Sequence, residues 1–65
     1  MSYKRKLKGI RVSKGLTQKD LAILINMSRS TYAKKENQKS TFSIEEAIKI
    51  SKALGVSLER IFLNN

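Results

Sequence analysis

Residues 17–36 read TQKDLAILINMSRSTYAKKE, and the spacing of caps and apolar residues in this stretch decides how the rest of the chain is arranged. Thr17 is a good N-cap. Leu21, Ala22 and Ile25 follow at i, i+1 and i+4, one apolar stripe at about 3.6 residues per turn, which predicts a helix over 17–25. Asn26 stands where a left-handed residue would end that helix, and Ser28 can cap a second one over 29–36. A turn of only three residues forces two helices to cross steeply, which leaves the second able to enter a DNA major groove.

With Arg29 at 0° and about 100° added per residue, Ser30, Ala33 and Lys34 share one face of the second helix with it, while Thr31, Tyr32 and Lys35 lie on the other side. That face carries two cations, a hydroxyl and a methyl, the groups that reach guanine acceptors, either base edge and the thymine methyl. A solvated charged face has the same composition, so these residues alone leave both readings open. Arg29, at the start of the helix, is the leading candidate for guanine readout.

Charge favours an acidic partner. The chain has 65 residues, a net charge of +9 and a pI near 10.3. Residues 1–39 hold eleven of the Lys and Arg against Asp20 and Glu36, whereas residues 40–65 hold three of each sign, so the whole excess lies on the half with the second helix. The length suits one small domain, 1–65, near the lower limit for a core without metal or disulfides. With neither Cys nor His, zinc fingers and thiol or imidazole catalysis are absent, and no cofactor is implied. The carboxylates are scattered and no nucleophile has a base beside it, so an enzyme is not expected. The longest apolar run is Leu21 to Ile25, far short of a membrane span, and a cytoplasmic protein is the default expectation.

Outside the central pair, Tyr3, Leu7 and Ile10 recur at i, i+4 and i+7 and predict a helix over about 3–14, with Lys4, Arg5, Lys6 and Lys8 largely outside. Gly9 weakens this helix unless a neighbour approaches it closely, and Gly15 suits its end. Asn37 to Thr41 reads as a loop. Ser43 with Glu46 forms a capping box for a helix over 43–54, whose buried stripe is expected at Ile44, Ala47, Ile48, Ser51 and Leu54 before Gly55 ends it. Ser57 caps a last helix over 57–62 with Leu58, Ile61 and Phe62 as apolar residues. The expected fold is all-α, a compact five-helix domain.

Gly15, Leu16, Thr17, Gln18, Leu21, Ala22, Ser28, Glu36 and the ending Ala53 to Phe62 together resemble the Cro and phage-repressor type of helix-turn-helix regulator, across nearly the whole chain. The resemblance implies a lambda-repressor-like fold and a sequence-specific transcriptional regulator acting as a homodimer on a palindromic double-stranded operator. It implies that Gln18 bonds a phosphate and braces the reading helix, that Ser28, Arg29, Ser30 and Lys34 touch bases or phosphates, that loop N–H groups near Asn37 to Thr41 meet the phosphate chain, and that Arg11 pairs with Glu36. The DNA-binding candidates are Gln18, Lys19, Ser28, Arg29, Ser30, Thr31, Ala33, Lys34 and Lys39. Asn26 and Gln38 replace usual glycines, and Lys35 replaces an apolar residue, so its stem is expected to pack while its ammonium reaches out to a phosphate.

The leading expectation is a repressor that works by occupying its operator, with no small-molecule ligand and no membrane contact. The alternative is a small interaction protein such as an antitoxin, which binds a protein partner and its own promoter. Ile23 and Leu24, often polar in the family, could meet such a partner. For a homodimer the candidate interface is Leu58, Ile61, Phe62 and Leu63, against the alternative that Ile61 and Phe62 only close the core.

Overall fold

The computed structural model describes the backbone of residues 3–63 and the side chains of residues 6–63. Four α-helices, α1 (Tyr3–Ser13), α2 (Gln18–Leu24), α3 (Arg29–Glu36) and α4 (Ile44–Leu54), are followed by a π-helical turn, Glu59–Leu63. No strand occurs among the described residues. The all-α, five-element fold matches the sequence expectation. The expected placements of Tyr3 inside and of Lys4 and Arg5 outside fall beyond the described side chains.

Each helix begins and ends for a local reason. Thr17, Ser28 and Ser43 each hold an extended backbone and accept the N–H three residues on, and Asp20 and Glu46 reciprocate to Thr17 and Ser43 in capping boxes. All four helices stop at a left-handed residue: Gly15 (φ 74°), Asn26 (φ 58°), Gln38 (φ 63°) and Gly55 (φ 68°). Gln38 therefore takes the conformation that the family usually gives to glycine. At α3 the Lys39 N–H donates to the Lys34 carbonyl at 2.8 Å and the Gln38 N–H to the Lys35 carbonyl at 3.1 Å, the bonding of a Schellman motif. The same pattern ends α2, where the Met27 N–H reaches the Ala22 carbonyl at 2.8 Å and the Asn26 N–H the Ile23 carbonyl at 3.1 Å. The end at Asn26 keeps the α2–α3 turn short, and the end at Gln38 closes α3.

Leu7, Leu21, Ala22, Ile25, Tyr32, Ile50, Leu54 and Ile61 form the core. Here α4 corrects the sequence reading. Its buried residues are Ala47, Ile50 and Leu54, while Ile44 and Ile48 are 73% and 41% exposed. The helix carries two overlapping apolar stripes about 60° apart. Periodicity alone cannot choose between them; packing against α2 selects the one with Ile50.

The chain end is also revised. The last segment, expected as a short helix over 57–62, has π-helical pitch at Glu59–Leu63. Ile61 is fully buried and so is withdrawn from any dimer interface, where the sequence had placed it. Phe62 is half-buried edge-on against Phe42, at 5.8 Å between ring centres, and Phe42 lies 5.8 Å from Tyr32. Leu58 is half-buried, which leaves Leu63, 68% exposed, as the spare apolar side chain of the four. Gly9 has nothing within 4 Å of where a Cβ would stand, so no close approach explains it. No helix among the described residues is long and apolar enough to cross a membrane.

Candidate nucleic-acid interface

The site is built from the inside of α3 outward. Tyr32 and Glu36, four residues apart and therefore on one side of the helix, are both fully buried. A buried carboxylate is tolerable only when its lone pairs are used. Glu36 Oε2 accepts from Arg11 Nε at 2.8 Å and from the Tyr32 hydroxyl at 2.6 Å. Its Oε1 accepts from Arg11 Nη2 at 3.2 Å and from Gln18 Nε2 at 2.9 Å. Arg11 Nη1 completes the knot by donating to the Leu16 carbonyl at 2.7 Å. No described buried side-chain nitrogen or oxygen lacks a partner. One carboxylate thus ties α1, the start of α2 and α3 together.

The ionisation of these groups follows from the geometry. Burial pushes the Glu36 carboxyl toward its neutral form, but hydrogen bonds from Arg11, Tyr32 and Gln18 outweigh it and hold the group below the ordinary value of 4.5. The bond to Glu36 holds the Arg11 guanidinium more firmly protonated, against the opposing effect of burial. Burial, then the bond to Glu36, pushes the Tyr32 hydroxyl well above its usual range. The knot is an ion pair with two neutral donors, locked in one charge state through the neutral pH range.

With that face turned inward, the opposite face of α3 meets solvent. Taking the direction midway between Tyr32 and Glu36 as inward, Ser30 and Lys34 point about 140° and 180° away, and both are exposed. Ala33 is half-buried at the flank. Ser28 and Thr31 are exposed but engaged with each other: the Ser28 hydroxyl accepts the Thr31 N–H at 3.2 Å and donates to Thr31 Oγ1 at 2.8 Å. Arg29 and Lys19 are exposed and line one groove of about 600 Å³ with Lys8, Arg11, Val12, Gly15, Leu16, Thr17 and Gln18. Gln18 lines that groove, and its Nε2 donates to Glu36 on α3. Lys39 is exposed beyond the end of α3.

Two expectations near α3 change. Of the N–H groups expected to meet a phosphate chain from Asn37 to Thr41, those of Asn37, Gln38 and Lys39 donate to carbonyls of α3 and so close the helix instead. The Lys35 ammonium does not reach outward either. It lies 2.7 and 2.8 Å from the two oxygens of Glu46, which also accepts the Ser43 N–H at 2.8 Å. Lys35, then Ser43, lowers the Glu46 carboxyl below its ordinary value. The spacing of Lys35 and Glu46 gave no hint of this bridge between α3 and α4, because the loop between them sets their approach.

A family model described as helix-turn-helix matches residues 7–61, the span from the first core leucine to the last core isoleucine. The chain belongs to the Cro and phage-repressor type of helix-turn-helix transcriptional regulators. It is also 43% identical over 60 residues to an uncharacterised helix-turn-helix-type transcriptional regulator of Methanocaldococcus jannaschii, covering 92% of this chain and 91% of that protein. Within that motif α3 is the second helix, and the Glu36 knot fixes its orientation.

Removing Glu36 alone strands the buried Arg11 charge. Glu36→Ala should cost about 3–5 kcal/mol, comparable to the whole stability of so small a domain, so a thermal melt by circular dichroism should show an unfolded or barely folded protein. Arg11→Met combined with Glu36→Leu should be milder, because no charge is then stranded and only neutral groups, the Tyr32 hydroxyl, the Gln18 amide and the Leu16 carbonyl, lose a partner.

Acid should loosen the same knot. The folded-state values of Glu36 and Glu46 lie below the unfolded value of 4.5, so their stabilisation is complete above that pH and is lost as the pH falls through the folded values. Urea midpoints measured at falling pH should drop below about pH 4.5, and Glu46→Gln should make the drop shallower; a midpoint that is flat into strong acid would contradict both shifts.

Proposed function

We propose that this protein is a sequence-specific double-stranded DNA-binding regulator that represses by occupying its operator, with α3 in the major groove. The observation that carries the reading is α3 itself: its inward face is locked by the Glu36 knot, and its outward face presents Ser30 and Lys34, with Ala33 half-buried at the flank. A hydroxyl, a methyl and an ammonium suit base edges and the thymine methyl. The net charge of +9, all of it on residues 1–39, supports it by favouring counterion release from DNA, since that half of the chain also bears α3. Operator occupancy is the mode of repression that a DNA-binding domain can perform by itself.

One reading helix spans only a few base pairs, so a homodimer on a palindromic operator follows from the need for discrimination. The apolar surface suited to the pairing is Ile44 and Ile48 on α4 together with Leu63, beside a groove of about 200 Å³ whose walls include Phe42, Leu58 and Phe62. It belongs to the half of the chain with no net charge, where two copies can meet without strong repulsion.

A second reading, a protein-binding partner such as an antitoxin, is favoured by Ile23 and Leu24, which are 66% and 58% exposed at adjacent positions of α2. Stoichiometric co-purification of another protein, lost in Ile23→Ser, would support it.

Selection of bound duplexes from a random pool tests the leading reading, and a palindromic consensus is the expected result. On that consensus Lys34→Ala should lose about 1–3 kcal/mol and relax the preference at one base pair per half-site. Equal losses on consensus and random duplexes would remove Lys34 from base readout.

The dimer is tested separately. Ile44→Asp should shift sedimentation at micromolar concentration toward the monomer and weaken operator binding, with little change in melting temperature because Ile44 is exposed. A wild type that is monomeric and binds one copy per site would refute the pairing.

A further inference from the structure

We propose that Lys8, Lys19 and Arg29 form a cradle for the phosphate backbone of duplex DNA, so that Arg29 grips the backbone and not a guanine; this rests on the DNA-binding reading above. The three residues come from three helices and line one groove of about 600 Å³. All three are exposed, none makes an ion pair among the described residues, and no acidic residue lines the groove. The fourth cation of the lining, Arg11, is already neutralised by Glu36.

Shape decides what such a groove receives. Base edges lie at the floor of a major groove about 8.5 Å deep and are reached only by a protruding element. The sugar–phosphate chain is the ridge of the duplex, and a recess fits a ridge. The exposed Val12 side chain, 57% accessible, supplies an apolar wall suited to deoxyribose.

The phase of α3 agrees. Arg29, Tyr32 and Glu36 stand at i, i+3 and i+7, so Arg29 lies on the flank of the helix that faces α1 and α2, about 40° from the inward direction. Ser30 and Lys34 point 100° or more further round. Arginine at the first position of a reading helix suggests guanine when the sequence is read alone, whereas the helix phase turns it toward the cations of α1 and α2. Discrimination then rests on Ser30, Ala33 and Lys34, while Lys8, Lys19 and Arg29 set affinity for any duplex.

The test is the salt dependence of binding to two labelled duplexes of equal length, the selected site and a scrambled one. Lys8→Ala, Lys19→Ala and Arg29→Ala are compared with Lys52→Ala, which makes the same charge change on the exposed part of α4. Each phosphate contact removed should make the slope of log K against log salt shallower by about 0.9, with equal fold losses on both duplexes, and Lys52→Ala should leave the slope unchanged. Melting curves confirm that each variant is folded, and Lys8→Ala, on an exposed helical position, carries the decision if Arg29→Ala unfolds. A Lys8→Ala slope equal to that of Lys52→Ala, or an Arg29→Ala loss confined to the selected site, overturns the cradle while leaving DNA binding intact. A wild type that binds neither duplex overturns both proposals.

Discussion

The Glu36 carboxylate, buried and saturated by four donors from three different segments, is the interaction on which the rest of the structure depends. A buried charge with an unused lone pair is expensive, so the two bonds from Arg11 and those from Tyr32 and Gln18 form together or the fold loses much of its stability. Hydrophobic contacts alone would permit small rotations of α3 about its own axis. The directional bonds do not.

This explains how a domain with a small core holds a helix of eight residues in one orientation. The knot fixes its phase, the Schellman ends at Asn26 and Gln38 fix where it starts and stops, and the Lys35–Glu46 bridge ties its last turn to α4. Nothing on the outward face has to contribute to stability. Ser30 and Lys34 are thereby left available for a partner, and their outward chemistry can vary without disturbing the fold.

Much of this was legible in the sequence, and for identifiable reasons. Caps act through bonds three residues away, so Thr17, Ser28 and Ser43 mark helix starts without tertiary information. Left-handed ends are equally local: Gly15, Asn26 and Gly55 announced themselves, while Gln38, whose side chain does not favour that region, stood in the sequence only as a departure from the glycine that the family usually places there, and its left-handed backbone came from the structure. The stripes of α1 and α2 were also legible at Leu7, Leu21, Ala22 and Ile25, since those residues recur at the helical spacings of i, i+1 and i+4 or i, i+4 and i+7 that mark one face. Of the site, the exposed positions of α3 followed from its periodicity, but the groove joining Lys8, Lys19 and Arg29 did not, because its three cations are separated in sequence and meet only through the packing of α1, α2 and α3.

The sequence by itself determined the bounds of the four α-helices to within a residue, the all-α class, the one-sided charge and the family, since the first two depend on residues within a turn or two of one another and the others on composition and on residue types at fixed spacing. Only the tertiary structure decided which apolar stripe of α4 is buried, that Lys35 turns to Glu46, that Ile61 belongs to the core, and that Arg29 faces the flank of α3. The physical reason is the same in each case: the local pattern offers two arrangements of similar energy, and the choice is made by a neighbour distant in sequence, Ile50 packing inward from α4, Glu46 approaching across a loop, or Glu36 setting the phase of its helix.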